Sequence, residues 1–258
     1  MLKLNQIIKK DLNIIFELVK RDLKKKYRGS FLGIIWSVLN PLLMMTVLTL
    51  VFSNVFRFDT KNYPLYLMTG QVLFNFFSES TSVSMLSIIS NASLIKKIYF
   101  KKWLLPFSSV SFSWINTFFS IIAIFIIVIF TGEKIHLSYI LIPLLLFYLF
   151  LFALGFGMIL SATVVFFRDI MYLYSVFLTI LMYLTPIFYP EKIIPEQYKF
   201  IVSLNPLVYF LKYFRQIILD GVFPDLKLNL ICIFFGVSSL IIGILVFKSR
   251  ENEFVLDI

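Results

Sequence analysis

Six apolar stretches, near residues 34–56, 65–89, 105–131, 139–165, 171–189 and 228–247, constrain this chain more than any other feature of it. About 20 helical residues are needed to cross roughly 30 Å of hydrocarbon, and each stretch is close to that length or beyond it. A backbone in lipid finds no water for its amides and carbonyls, so a span must be a helix or part of a closed barrel. The alternation of a barrel strand is absent, which leaves helices. Composition agrees. Of 258 residues, 60% are hydrophobic, 18% aromatic and only 15% charged, against about 25% charged in a soluble domain. That length holds one helical bundle and leaves no room for a soluble enzyme domain beside it. The expected fold class is an all-α membrane protein with six transmembrane helices, organised as residues 1–33, 34–247 and 248–258.

Residues 5–28 read as an amphipathic helix. Ile8, Leu12, Ile15, Val19 and Leu23 recur at steps of three and four, while Lys10, Asn13, Glu17, Lys20, Arg21 and Lys24 fill the other side. Such a helix belongs in the headgroup region. The alternative is a soluble packing helix, and the span that follows favours the interface. The net charge of +10 gathers at Lys3 to Arg28 and Lys96 to Lys102, beside apolar runs. Anionic headgroups attract such clusters; nucleic acid is not the expected partner. With both termini inside, the inner segments carry sixteen Lys and Arg and the outer ones eight, so cytoplasmic termini are expected. Five of those eight fall in the last outer loop, among four acidic residues. The first thirty residues lack the apolar core of a cleavable signal peptide.

That outer segment, 186–227, is too long for a turn. Pro186, Pro190, Pro195, Pro206 and Pro224 punctuate it, with Gly221 near its end. Leu207–Leu219 is apolar but short of a span, and reads as a re-entrant or interfacial helix capping the outer mouth. An additional poorly formed span is the alternative, and would place the C-terminus outside. Asn40-Pro41 removes a helical hydrogen bond in the first span; a gate hinge and a plain kink are equally open. Gly155, Gly157 and Ser161 allow close helix approach.

Chemistry-bearing motifs are few. There is no phosphate-binding loop of either common type, so ATP is not expected on this chain. The single cysteine, Cys232, excludes an internal disulfide or a cysteine-based metal cluster and reads as a packing residue. His136, the only histidine, reads as a solvated loop residue, and Arg57 with Asp59 as a loop charge pair. No catalytic and no metal-binding residues are expected. Asn91-Ala92-Ser93 fits a glycosylation sequon, but the topology puts it inside. Glu79 is the clearest ionisable residue within a span. It either couples ions or meets water or a polar partner, the second being favoured. The chain has a pathway but no energy source, which points to a partner that supplies the work.

Leu18-Val19-Lys20-Arg21-Asp22-Leu23-Lys24-Lys25-Lys26-Tyr27-Arg28-Gly29-Ser30-Phe31-Leu32-Gly33, running into Ile35-Trp36-Ser37-Val38-Leu39-Asn40-Pro41, resembles the opening of ABC type-2 permeases that export polysaccharides. Asn91 to Lys97, Phe167-Arg168-Asp169-Ile170, Leu184 to Pro190, Asn205-Pro206-Leu207 and Arg215 extend the resemblance along essentially the whole chain. It implies a bacterial inner-membrane permease, a homodimer working with two copies of a separate ATPase that holds ATP and Mg, and export of a lipid-linked glycan such as O-antigen, capsule or teichoic acid. No cofactor is then expected on this chain. The resemblance also implies roles. The amphipathic arm and Asn91–Lys102 would meet the ATPase, through Lys20, Arg21, Lys24, Asn91, Leu94, Lys96 and Lys97. Arg168 and Asp169 would form a smaller contact. Pro186–Leu219 would form the outer gate, with Pro186, Pro190, Asn205, Pro206 and Arg215.

A polymer needs a continuous lumen, and aromatic faces let sugar rings stack and slide. Phe74, Phe77, Tyr174 and Tyr183 are candidate lumen residues, although most aromatics in spans only pack. A drug or small-lipid permease of the same superfamily, a membrane-embedded glycan polymerase or acyltransferase, and a membrane anchor are the alternatives. No cluster of polar catalytic groups supports the enzyme.

Overall fold

A computed structural model of the chain describes residues 2–55 and 62–254. Arg57, Asp59 and Lys61, and the side chains of Lys3 and Ile8, lie outside the described residues. Among those described, every regular element is helical: α1 Leu2–Tyr27, α2 Trp36–Val55, α3 Tyr63–Ser90, α4 Ala92–Lys97, α5 Leu104–Phe130, α6 Ile142–Val164, α7 Ile170–Leu184, α8 Glu196–Ser203, α9 Pro206–Arg215 and α10 Leu226–Arg250. Five helices are long and apolar enough to cross a membrane: α2, α3, α5, α6 and α10. The expected span at 171–189 is the 15-residue α7, about 22 Å long.

The shortness of α7 has a local cause. Thr185-Pro186 breaks the helix, and Ile187 seats its Cα 3.2 Å from where a Cβ at Gly70 would lie. Gly70 lies seven residues, about 10 Å, below the outer start of α3. Beyond α7 that end of the bundle is filled instead by a helical hairpin. Residues 186–189 climb to Tyr63 and Tyr66. After the surface helix α8, Asn205 returns to Thr185, its Nδ2 donating to the Thr185 hydroxyl at 2.8 Å. Helix α9 then rises through the bundle: Phe210 packs on Phe152, Tyr213 on Tyr148, and the Ile217 and Ile218 carbonyls accept from Ser138 and Tyr139 near the outer loop. The re-entrant element is thus a buried core helix, with only α8 on the surface.

Small residues set the tightest helix pair. Cys232, Gly236, Ser239 and Gly243 form the buried stripe of α10, at the four- and three-residue steps of one helix face. They meet Tyr148, Phe152 and Gly155 of α6. A methyl at Gly155 would lie 2.2 Å from the Ser239 carbonyl. Close backbone approach of this kind drives association where lipid supplies no hydrophobic force. Gly157 makes room for the Ser84 side chain of α3.

Helix α1 has three faces rather than two. Asp11, Ile14, Ile15, Leu18, Val19, Asp22 and Tyr27 are covered, Leu12 and Phe16 form an exposed apolar strip, and Lys10, Asn13, Glu17, Lys20 and Lys24 stay in water. The covered stripe follows α5: Asp11 pairs with Lys101 at 2.6 Å, and Tyr27 reaches Asn116, about 18 Å along α5 from its start. Helices α3 and α5, with 28 and 27 residues, are about 40 Å long, some 10 Å more than the hydrocarbon. Their inner halves carry Ser80, Thr81, Ser84 and Ser87, and Ser108, Ser109 and Ser113, all buried. The amphipathic arm climbs obliquely along this hydroxyl-rich end instead of lying loose in one plane.

The end of α10 packs at that face too. Lys102 donates to the Glu251 carbonyl, and the Arg250 guanidinium stands over the Phe166 ring at 5.3 Å. The opposite face holds the 131–136 turn, where His136 is half-buried against Gly221, more enclosed than a solvated loop residue. Gly221, at φ +66, needs the left-handed backbone that glycine tolerates.

Candidate transport and coupling site

The end of the bundle that carries α1 and α4 is built around Asn91, which ends α3 and starts α4. Its Nδ2 donates to the Ser87 carbonyl at 2.7 Å, and its Oδ1 accepts from Arg21 Nη1 at 2.7 Å. A charged hydrogen bond of this type is worth about 1.5–3 kcal/mol where it is shielded; Arg21 is half-exposed, which lowers the figure. Asn91 and Arg21 therefore fasten α1 to the α3–α4 corner, and Leu94 packs on the core. These contacts hold Asn91, Arg21 and Leu94 within the chain, with Arg21 still half-exposed. Lys20, Lys24, Lys96, Lys97, Arg168 and Asp169 are exposed at the same end. So are Ile98, Phe167 and Tyr99, the last 99% exposed. Sequence reasoning passed over these apolar residues; the signal was their position inside a lysine cluster and a turn.

Glu79 meets a polar partner rather than standing alone. Lys26 Nζ lies 2.5 Å from its Oε1, and Asn116 Nδ2 donates to its Oε2 at 3.2 Å. Asn116 Oδ1 accepts from the Tyr27 hydroxyl at 2.6 Å and the Ser37 hydroxyl at 2.8 Å. Tyr27 and Ser37 also share a hydrogen bond. One cluster thus ties the end of α1, the start of α2, the middle of α3 and the middle of α5. It edges a cleft of about 570 Å³. Asn40 faces this cleft and Pro41 lines it. Helix α2 runs on through Pro41, which leaves the Ser37 carbonyl without its helical partner. Lys26, Tyr27, Ser37 and Asn116 were not singled out by the sequence reading; a lone amide amid the apolar run of α5 was the available sign.

Toward the opposite end of the bundle, Asn205 caps α9 by accepting from the Leu207 amide at 3.0 Å, and Pro206 occupies the first turn. Both choices suit a helix start. Pro186 ends α7, and Pro190 precedes a short 3-10 turn at Glu191–Ile193. Arg215 is buried, 9% exposed. Its guanidinium stacks on Tyr66 at 3.5 Å from the ring centroid and donates to the Ile187 carbonyl at 3.3 Å. Guanidinium does not lose its proton in proteins, so this is a desolvated cation–π contact, worth about 2 kcal/mol. Tyr66 in turn donates to the Tyr189 carbonyl at 2.8 Å, and Tyr63 to the Phe188 carbonyl at 2.7 Å. Arg215, Tyr66 and Tyr63 together fasten the 186–189 segment to α3, while Asn205 ties the start of α9 to Thr185.

The lumen candidates separate. Phe74, Phe77 and Tyr174 are buried inside the chain: Phe77 stacks on Phe152 at 5.3 Å, and the Tyr174 hydroxyl donates to the Thr81 hydroxyl at 2.5 Å. Within the chain these three rings are covered by neighbouring helices. Tyr183 is 61% exposed. It shares an open stripe of α7 with Tyr172, Ser175 and Thr179, spaced three, four and four residues apart and all exposed. Ser175 and Thr179 return their hydroxyls to the Tyr172 and Ser175 carbonyls, so the stripe adds polar oxygens to one open face of an otherwise apolar helix.

The ABC-2 type transporter family profile matches residues 14–219, from α1 through the end of the hairpin. This chain belongs to the ABC-2 type transporter family. Its relatives cover it nearly end to end. An O-antigen export system permease protein, RfbA, of Klebsiella pneumoniae is 31% identical over 252 residues, 96% of this chain and 97% of that protein. RfbA of Myxococcus xanthus is 30% identical over 247 residues, 95% of each chain. The polysialic acid transport protein KpsM of Escherichia coli is 23% identical over 240 residues, 90% of this chain and 91% of that one. The chain is accordingly a multi-span permease subunit of a bacterial inner-membrane transporter, not an enzyme, and an ABC ATPase is its partner.

Proposed function

We propose that this permease exports a lipid-linked polysaccharide from the cytoplasm, as a homodimer bound to two ATPase subunits, with both termini cytoplasmic. The observation that carries the reading is the end-to-end similarity to O-antigen export permeases at 31% identity. Three features support it. The hydroxyl and aromatic stripe Tyr172, Ser175, Thr179 and Tyr183 suits a hydrated glycan sliding past. Helices α2 and α7 leave broad faces exposed, among them Val47, Val176 and Ile180, which a second copy would close into a conduit. Lysines and arginines gather at the end that carries α1, α4 and both termini, as the positive-inside rule requires of the cytoplasmic side. Arg168, Lys96 and Lys97 with Ile98 and Tyr99 form the ATPase-facing surface, and the hairpin locked by Arg215 forms the outer gate. No feature of the chain favours a drug, a small lipid or an enzymatic role. Deletion of the gene tests the reading: lipid-linked glycan then accumulates on the cytoplasmic leaflet and is missing from the surface. Normal surface glycan in the deletion strain overturns it.

A further inference from the structure

The cleft beside Lys26 and Glu79 has more polar groups than its own structure uses. Its walls are Trp36 and Asn40 of α2, Asn75, Ser78 and Ser82 of α3, and Asn116 with Ser120 of α5. Asn116 serves the internal cluster. The side chains of Asn40, Asn75, Ser78, Ser82 and Ser120 make no hydrogen bond within the described residues, so two amides and three hydroxyls point at open space. Pro41 adds the free Ser37 carbonyl. Polar groups at this depth are costly unless a partner reaches them. Trp36, at the rim, is 46% exposed and offers a flat apolar face.

The electrostatics narrow the ligand. The lining contains one cation and one anion, and they neutralise each other at 2.5 Å. Lys26 is further occupied by the Phe112 ring, 5.5 Å from its Nζ. A phosphate would have to break that pair and would face Glu79. An acyl chain would bury the amides unpaired. What remains is an uncharged ligand dense in hydroxyls, with one apolar face for an indole: a pyranose ring.

We infer that this cleft between α1, α2, α3 and α5 is a sugar-binding subsite, holding an uncharged sugar residue of the glycan near the inner end of the pathway. The inference rests on the glycan-export reading and extends it to a place and a chemistry. The Asn and Ser side chains hold the ring hydroxyls, Trp36 stacks on its face, and the Lys26–Glu79 pair keeps the walls apart. Because the same pair fastens α1 to α3, an occupied cleft bears on the helix that carries the ATPase-facing arm.

A photoreactive benzoylphenylalanine placed at Ser82 or Ser120, in cells that make the glycan, tests this. A control carries it at Ile129, which is on α5 and 69% exposed. Light should give adducts at the two cleft positions that bear sugar by mass spectrometry and glycan staining, and none at Ile129. Since the bulky probe can itself disturb the bundle, Asn75→Ala and Ser120→Ala are measured beside it. At equal abundance in the membrane the pair should lower export about tenfold, the effect of losing roughly two hydrogen bonds to a ligand, with Ile129→Ala unchanged. Phospholipid adducts, or no adducts together with unaltered export in the alanine pair, overturn the sugar subsite and leave the export reading standing. Absence of surface glycan in the unmodified strain overturns both.

Discussion

Gly155→Val should unseat the tightest helix pair of the bundle without touching either face of the membrane. A Cβ at Gly155 falls 2.2 Å from the Ser239 carbonyl carbon and oxygen and 2.5 Å from the Leu240 amide. These are backbone atoms and cannot swing away. Reaching ordinary contact at about 3.5 Å requires α6 and α10 to part by more than about 1 Å. Overpacking of this kind costs about 1–3 kcal/mol. Separation also loses the Ser239 hydroxyl to Phe152 carbonyl bond, 2.9 Å long, worth about 0.6 kcal/mol inside a membrane protein. Together the loss is about 2–4 kcal/mol. Ser239→Ala removes the hydrogen bond alone and should cost less than about 1 kcal/mol. Gly155→Ala already introduces the clash and should fall near the lower end of the valine figure. Unfolding in mixed micelles titrated with a denaturing detergent, followed by Trp103 and Trp114 fluorescence, gives the ordering. If Gly155→Ala unfolds within about 0.5 kcal/mol of the native chain, the α6–α10 packing described above is wrong.

Three further outcomes are expected. Lys96→Glu with Lys97→Glu should leave the folded chain at normal abundance but abolish glycan-coupled ATP hydrolysis, read in proteoliposomes holding both subunits; unchanged coupling removes α4 and its flanks from the ATPase contact. Glu79→Lys should lower export and loosen α1, measured as faster proteolysis of the N-terminal arm, whereas the exchange Glu79→Lys with Lys26→Glu should restore much of both; equal damage in the single and the exchanged chain argues against the pair. Arg215→Lys keeps the charge but loses the guanidinium contact over Tyr66, and should destabilise the hairpin by about 1–2 kcal/mol, seen as greater labelling of a cysteine at buried Ile187 (1% exposed); unchanged labelling would remove Arg215 from the lock.

Much of the bundle was legible because lipid imposes one rule, a long apolar helix, and five of the stretches obey it. The sixth stretch reads the same by composition, and only the Ile187 contact with Gly70 and the hairpin behind it explain why α7 stops at Leu184. Pro186 and Asn205-Pro206 announced the break and the cap; how deeply α9 sits was illegible, since Phe210 and Tyr213 would suit a surface cap as well as a core. The two-sided pattern of α1 was visible, but its third strip, Leu12 and Phe16, became distinct only once α5 claimed the neighbouring face. Aromatic residues carried least information. Phe77 and Tyr183 are equally plausible wall residues by type, and burial alone sends one to the core and leaves the other in the open stripe. Glu79 drew notice as a charge in a span, yet its partners come from 37 and 53 residues away in sequence, beyond any local pattern.

Liposomes offer the sharpest check that this chain is a passive conduit driven from its lysine-rich end. The purified chain is inserted with or without its ATPase, and lipid-linked glycan reaching the far side is measured by its susceptibility to an added glycosidase. Glycan should cross only when the ATPase and ATP are present together, and the chain alone should release no inorganic phosphate. Crossing without the ATPase, or nucleotide hydrolysis by the chain alone, would show that the power source lies in these helices and not in a partner.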